Sequence, residues 1–170
     1  MTDMINPPTA ALVTIDLQAR ILESAKAPRD GAEVVERSRR LAEEFRARGG
    51  LVVPVRAHRP GEQPPGSELV DEPQPGDLLI TKHTWGAFHE TGLDDELRAR
   101  GIDTLVITGI ATNFGVEQTA RIADELGYRL FLAEDAMANL KAEWHRFAVE
   151  VIFPALGTVC STDEVIARLG

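Results

Sequence analysis

Three short stretches carry residue types whose order could do chemistry. Asp16 ends the apolar run AALVTI, so its carboxylate stands at the edge of a core instead of in bulk water. There it can act as an acid or base, cap a helix or pair with an arginine. Lys82 follows the run DLLIT and supplies a cation, although most lysines are simply solvated surface charges. The segment GIATNFGVEQTA, from Gly109 to Ala120, passes from an apolar run through a tight turn into a helical pattern. Such a turn can present consecutive backbone amides to an oxyanion or carboxylate. Further candidates surround these three. Gln18, two residues beyond Asp16, shares its side of an extended chain and can orient it or hold a loop. Trp85 and Phe88 can wall an apolar pocket, or pack in the core or against a subunit. Arg56 and His83 are candidate anion contacts; Asn113 and Thr119 can stabilise the turn and helix start; Glu117 complements a helix dipole whether or not it meets a substrate.

The elements that must position these residues alternate along the chain. Apolar, β-rich runs at 10–15, 51–55, 77–80, 103–108, 128–133 and 157–160 read as six strands. Between them, helical spacing follows Asp30, whose relation to Glu33 is that of an N-cap to its capping-box partner; Gly49 and Gly50 stop that helix. Helices are also predicted at 93–100, 115–126 and 139–150, and Thr162 is predicted to cap a last one. Strands alternating with helices imply crossover connections, hence an α/β fold: one domain over residues 1–170, with a mostly parallel six-stranded sheet between two helical layers. Ligands of such sheets bind beyond the carboxyl ends of the strands. Asp16, residues 56–58, Lys82 and residues 110–115 all fall at that edge. The stretch 57–76, rich in Pro, Gly and Glu, has no periodicity and reads as a lid, a surface excursion or an oligomer contact.

Composition narrows the partners. A chain of 170 residues with 44% hydrophobic and 26% charged residues fits one globular core and excludes general disorder. A net charge of −9 disfavours nucleic acid, whose binders concentrate Lys and Arg. Every apolar run falls well short of the roughly 20 residues that cross a bilayer, so no membrane span is expected. With Asp3 and two prolines near the N-terminus in place of a signal peptide, a cytoplasmic location is expected. The single cysteine, Cys160, excludes an internal disulfide and reads as a small buried hydrophobe, and the four histidines show no metal-ligand spacing.

Read together, TIDLQ (14–18), KHTWGAF (82–88) and TGIATNFGVEQTA (108–120) resemble the isochorismatase-like, or cysteine, hydrolases. That family includes nicotinamidases, carbamoylsarcosine amidases and isochorismatases. The resemblance spans nearly the whole chain and implies a Rossmann-like fold with no cofactor. By position it makes Asp16 the acid or base and Lys82 its electrostatic partner. It places a cis peptide between Ile110 and Ala111 and makes the amides of Ala111 and Gly115 the oxyanion-type donors. Gly115 falls where the amide-cleaving members carry their nucleophilic cysteine, which argues against covalent amide hydrolysis. The Asp-x-His metal pattern of nicotinamidases is missing from VRAH (55–58), so no metal is expected. Isochorismatases resemble this chain in their glycine and cleave a vinyl ether through a general acid. Asp16 could serve so only with a raised pKa, which burial favours and Lys82 opposes, unless Lys82 binds substrate instead. Thr84 and the ATNFGV turn depart from the isochorismatase pattern, so the resemblance implies a hydrolase of some small polar or carboxylated metabolite. It also implies a homo-oligomer. The alternative is a catalytically degenerate member serving in ligand binding or assembly.

Overall fold

The computed structural model describes residues 3–170. Six parallel strands form one sheet in the order β3-β2-β1-β4-β5-β6: β1 (Ala10–Ile15), β2 (Leu51–Ala57), β3 (Ile80–Lys82), β4 (Thr104–Ile110), β5 (Arg129–Ala138) and β6 (Thr158–Cys160). The order reverses between β1 and β4, and that switch point leaves a crevice at their carboxyl ends. Alternation along β1 builds the two faces. Ala11, Val13 and Ile15 join the core under α3 (Leu93–Ala99), α4 (Glu117–Glu125) and the turns that follow α5 (Ala142–Phe147). Ala10 and Leu12 join the opposite core under α2 (Gly31–Ala47) and α6 (Thr162–Arg168). A short α1 (Ala19–Ser24) follows the site edge.

One close approach draws β1 and β4 together at that edge. Gly109 pairs with Ile15, and a Cβ at Gly109 would lie 2.2 Å from the Ile15 carbonyl oxygen. With φ at +123° as well, only glycine fits.

Several boundaries differ from expectation. The third strand begins at Ile80, not at residue 77, because Asp77 is held by Arg46 at 2.7 and 3.0 Å and by the Gln74 amide at 2.8 Å. Lys82 is therefore the last strand residue. β5 continues through Glu134 and Asp135 to Ala138 after a register shift against β4; its acids are tolerated because Arg29, Arg37 and Thr162 bond them or their carbonyls. Asn139, expected to open a helix, instead ends this extension. The expected helix over 139–150 is α5, running on into a π-turn (Ala148–Ile152) and a 3₁₀ turn (Phe153–Ala155). Asp30 caps α2 as expected, but Glu33 pairs with Arg37. The full capping box belongs to α6, with Ser161 and not Thr162 as its cap. Residues 57–76 are tied down: Leu69 bridges Gln18, and Arg39 grips Asp71 at 2.8 and 3.2 Å. Among the described residues no helix is long and apolar enough to cross a membrane.

Candidate active site

Asp16 leaves β1 in the left-handed region, φ +55°, a conformation that Asp adopts more readily than branched residues. Its amide donates to Val55 and its carbonyl accepts from Gln18, which turns the chain out of the sheet. Lys82, at the end of β3, reaches across with its Nζ 2.9 Å from Asp16 Oδ2. The same ammonium donates to the carbonyls of Trp85 at 2.8 Å and Thr84 at 3.3 Å. All three of its protons are therefore used within the protein, and Lys82 serves the aspartate instead of a substrate. The pair is sealed: Lys82 is 1% and Asp16 7% exposed. Asp16 Oδ1 is buried with no hydrogen-bond partner. Burial pushes the Asp16 carboxyl up to about 6, against the downward pull of the Lys82 charge and hydrogen bond.

The third element is the turn after β4. The Ile110–Ala111 peptide is cis, and the chain then winds through a π-turn (Thr112–Val116) before α4 begins. A regular helix was expected from Gly115; the wide turn forms because the Ala111 carbonyl accepts from both Phe114 and Val116. Gly115 lies against the ion pair: a Cβ there would stand 3.2 Å from Lys82 Nζ, the Trp85 carbonyl and Ile15 Cγ2. Thr119 fixes this approach, donating to the Gly115 carbonyl at 2.7 Å and accepting from the Ala87 amide at 3.1 Å.

Other candidates are placed elsewhere. Gln18 is fully engaged with Ala57 and with the Ser67 carbonyl at 2.6 Å, so it holds the 57–76 loop and does not orient Asp16. Arg56 bonds Thr81 and lines a cavity under that loop that includes none of Asp16, Lys82 or Gly115. His83 contacts the His58 carbonyl through Nδ1. Phe88 packs on Tyr128 in the core, its rings 5.9 Å apart. Glu117 pairs with Arg121 at 2.9 Å. Asn113 accepts from Asn139 at 2.7 Å and so braces the turn. Trp85 is exposed and stacks on Phe114 at 5.0 Å beside Gly115. Cys160 is buried at the end of β6, and desolvation pushes its thiol up to about 12.

Sequence reasoning missed a second polar cluster behind the turn. Thr112 Oγ1 lies 3.1 Å from the Ala138 carbonyl and 2.8 Å from His145 Nδ1; His145 Nε2 lies 3.4 Å from Glu134, which also meets Arg29 at 3.4 Å. The one available signal was a histidine beside Ala148 on the inward face of α5, where an apolar residue is the rule.

Comparisons with known proteins give the family of the chain. An isochorismatase domain model matches residues 10–164. The isochorismatase family protein YecD of Escherichia coli O157:H7 is 40% identical over 97% of this chain and 98% of its own length. A solved isochorismatase family protein from Burkholderia thailandensis superposes with a TM-score of 0.91 at 38% identity, covering 99% of this chain and 98% of that one. N-carbamoylsarcosine amidase from Thermoplasma acidophilum follows at a TM-score of 0.75 and 29% identity, covering 91% and 96%. On the sheet, the cis turn and the whole-length matches together, the chain belongs to the isochorismatase family of hydrolases.

Proposed function

We propose that the protein hydrolyses a small polar or carboxylated metabolite without a thiol nucleophile, with Asp16 as its general acid. The observation that carries this reading is the buried Asp16 carboxyl, with one oxygen on Lys82, the other unpartnered, and a pKa pushed up to about 6. A carboxyl so placed stays protonated in a fraction of molecules near neutrality, and Oδ1, which has no partner within the protein, is the oxygen left to deliver the proton. On an enol ether the proton passes from Oδ1 to the vinyl carbon, and the remaining cation is an oxocarbenium ion. Water adds to that ion and returns a proton to Asp16, and the hemiketal collapses to a ketone and an alcohol. Lys82 stabilises the carboxylate formed in the first step. The amides of Ala111 and Gly115, at the head of the turn, receive a substrate carboxylate. Gly115, where the resemblance places a cysteine, supplies no nucleophile, and this mechanism needs none.

A turnover screen by mass spectrometry tests the proposal, offering isochorismate, simple vinyl ethers, small amides and a metabolite extract. Asp16→Asn is expected to lower turnover about 10²–10⁴-fold, the range for losing a general acid, with the fold retained. An unimpaired variant removes Asp16 from the chemistry. No product from any class, with a metabolite retained on the protein, points instead to ligand binding or assembly by a degenerate member.

A further inference from the structure

The layer between α2 and the first two strands is not filled throughout. Leu12, Leu41 and Phe45 pack one part of it solidly. Beside them stand Thr14 and its register partner Pro54 on the sheet, with Ser38 and Ala42 on the helix. These four side chains are short, and they leave a cavity of about 200 Å³. Residues 69–77 form its outer wall. The Val70 amide donates to the Leu17 carbonyl at 3.0 Å, and the Arg39–Asp71 and Arg46–Asp77 pairs fasten the rest of that wall to α2. The cavity lies on the far side of the sheet from the catalytic turn. Ile15 faces Gly115, whereas Thr14, next along β1, faces α2. Asp16, Lys82 and Gly115 take no part in its lining.

Size, polarity and charge each describe an occupant. Benzene fills an engineered cavity of about 150 Å³ in another protein, so this one takes a single ring with a short arm. On the floor, Thr14 is 8% exposed, and among the described residues its hydroxyl makes no hydrogen bond. Its neighbour Ser38, by contrast, donates to Thr108 at 2.9 Å. A polar group so deep ordinarily has a partner, and here the space for one lies in front of it. At the rim, Arg39 and Arg46 meet four carboxylates, those of Glu43, Asp71, Glu72 and Asp77. Both arginines are taken by the two aspartates, so the exposed Glu43 and Glu72 are left in excess. An anion entering here finds no free cation; an ammonium finds acceptors. We infer that this cavity is a second ligand site, separate from the Asp16 centre, for a small amine. Its ammonium meets the rim carboxylates, its apolar body of about one ring lies between Leu17, Ala42, Pro54 and Leu69, and its far end hydrogen-bonds Thr14.

Isothermal titration calorimetry of the whole chain tests this with tyramine and three relatives. Phenethylamine lacks the phenol, tyrosol carries a neutral hydroxyl in place of the ammonium, and p-hydroxyphenylacetate is an anion of similar shape. Tyramine is expected to bind with a dissociation constant of about 10⁻⁴ M, as fits a ligand of this size. Tyrosol should bind about fivefold and p-hydroxyphenylacetate about tenfold more weakly, a preference that shrinks at high salt. The double variant Glu43→Gln, Glu72→Gln should bring tyramine and tyrosol to equal affinity. Thr14→Val, which keeps the shape, should bring tyramine and phenethylamine to equal affinity by a loss of about fivefold for tyramine. Ala42→Leu fills the cavity and should abolish binding of all four with an unchanged circular dichroism spectrum. Asp16→Asn should bind tyramine as the wild type does, so failure of the catalytic reading leaves this site intact. No binding of tyramine, or equal binding of tyramine and p-hydroxyphenylacetate, overturns the proposal. So does tyramine binding that survives Ala42→Leu or is lost in Asp16→Asn, either of which places the amine outside the cavity.

Discussion

Asp16 and Glu134 are both carboxylates beside a cation near the carboxyl edge of one sheet, yet their environments drive them in opposite directions. Glu134 meets His145 and Arg29, and Arg29 is itself anchored on the carbonyls of Glu134 and Met137 at 2.8 Å each. The His145 hydrogen bond, with Arg29 helping and burial opposing, holds the Glu134 carboxyl below its usual range. Asp16 has one ammonium and an empty oxygen, and burial wins. An ion pair therefore does not by itself reveal a role. A carboxylate with enough donors stays an anion and serves as a clamp; one that is short of donors holds its proton and can give it away.

The largest effect should come from breaking the Asp16 pair. Lys82→Met leaves a buried carboxyl without its cation, which typically costs about 3–5 kcal/mol, read as a lower denaturant midpoint at neutral pH. The variant should recover part of that loss as acid neutralises Asp16, and its midpoint for losing activity with rising pH should move above about 6. An unmoved midpoint would mean that Lys82 does not hold down the Asp16 titration. Next in size is a contrast in sign. The folded pKa of Asp16 lies above its ordinary 3.8, so the folded state binds more protons and loses stability as pH rises from there through about 6. Across that window the stability of Asp16→Asn relative to wild type should improve by about 3 kcal/mol, measured by urea unfolding at each pH. A pH-independent difference would place Asp16 in an ordinary environment.

This contrast was only half legible in the sequence. Asp16, Lys82 and the 109–120 turn could be read because each ends an apolar strand, and strand ends of a parallel sheet converge. Their burial could not be, since it depends on the β3 register that makes Lys82 a strand residue and on Trp85 and Thr84 turning their carbonyls to its ammonium. Gln18 misled for a related reason: period-2 spacing placed it with Asp16, but Asp16 leaves the strand at φ +55° and the alternation stops there. Glu134 was invisible because it lies just beyond the strand predicted to end at residue 133; three distant partners, Arg29, Arg37 and Thr162, allow the strand to run on through residues 134 and 135. Thr112 and His145 stand 33 residues apart, and no local pattern links them.

The Glu134 cluster supplies the two smaller tests. Glu134→Gln removes a charge-assisted contact to His145 and Arg29 and should lower stability by about 2 kcal/mol at neutral pH. Because this carboxyl titrates below its ordinary value, its contribution is present at neutral pH and disappears as pH falls through the folded pKa, opposite to the Asp16 trend. The difference between variant and wild type should therefore shrink in acid. Thr112 joins the two regions, since its hydroxyl meets His145 while its backbone begins the turn that carries Gly115. Thr112→Val keeps the shape and deletes the hydroxyl's contacts to the Ala138 carbonyl and to His145, so it should cost about 1–2 kcal/mol in chemical denaturation. If the cluster only braces the turn, kcat/KM should fall less than about tenfold, and the Asp16 midpoint should stay near 6. A shifted midpoint would show instead that the clamp sets the proton affinity of the acid, and that the two carboxylates work as one unit.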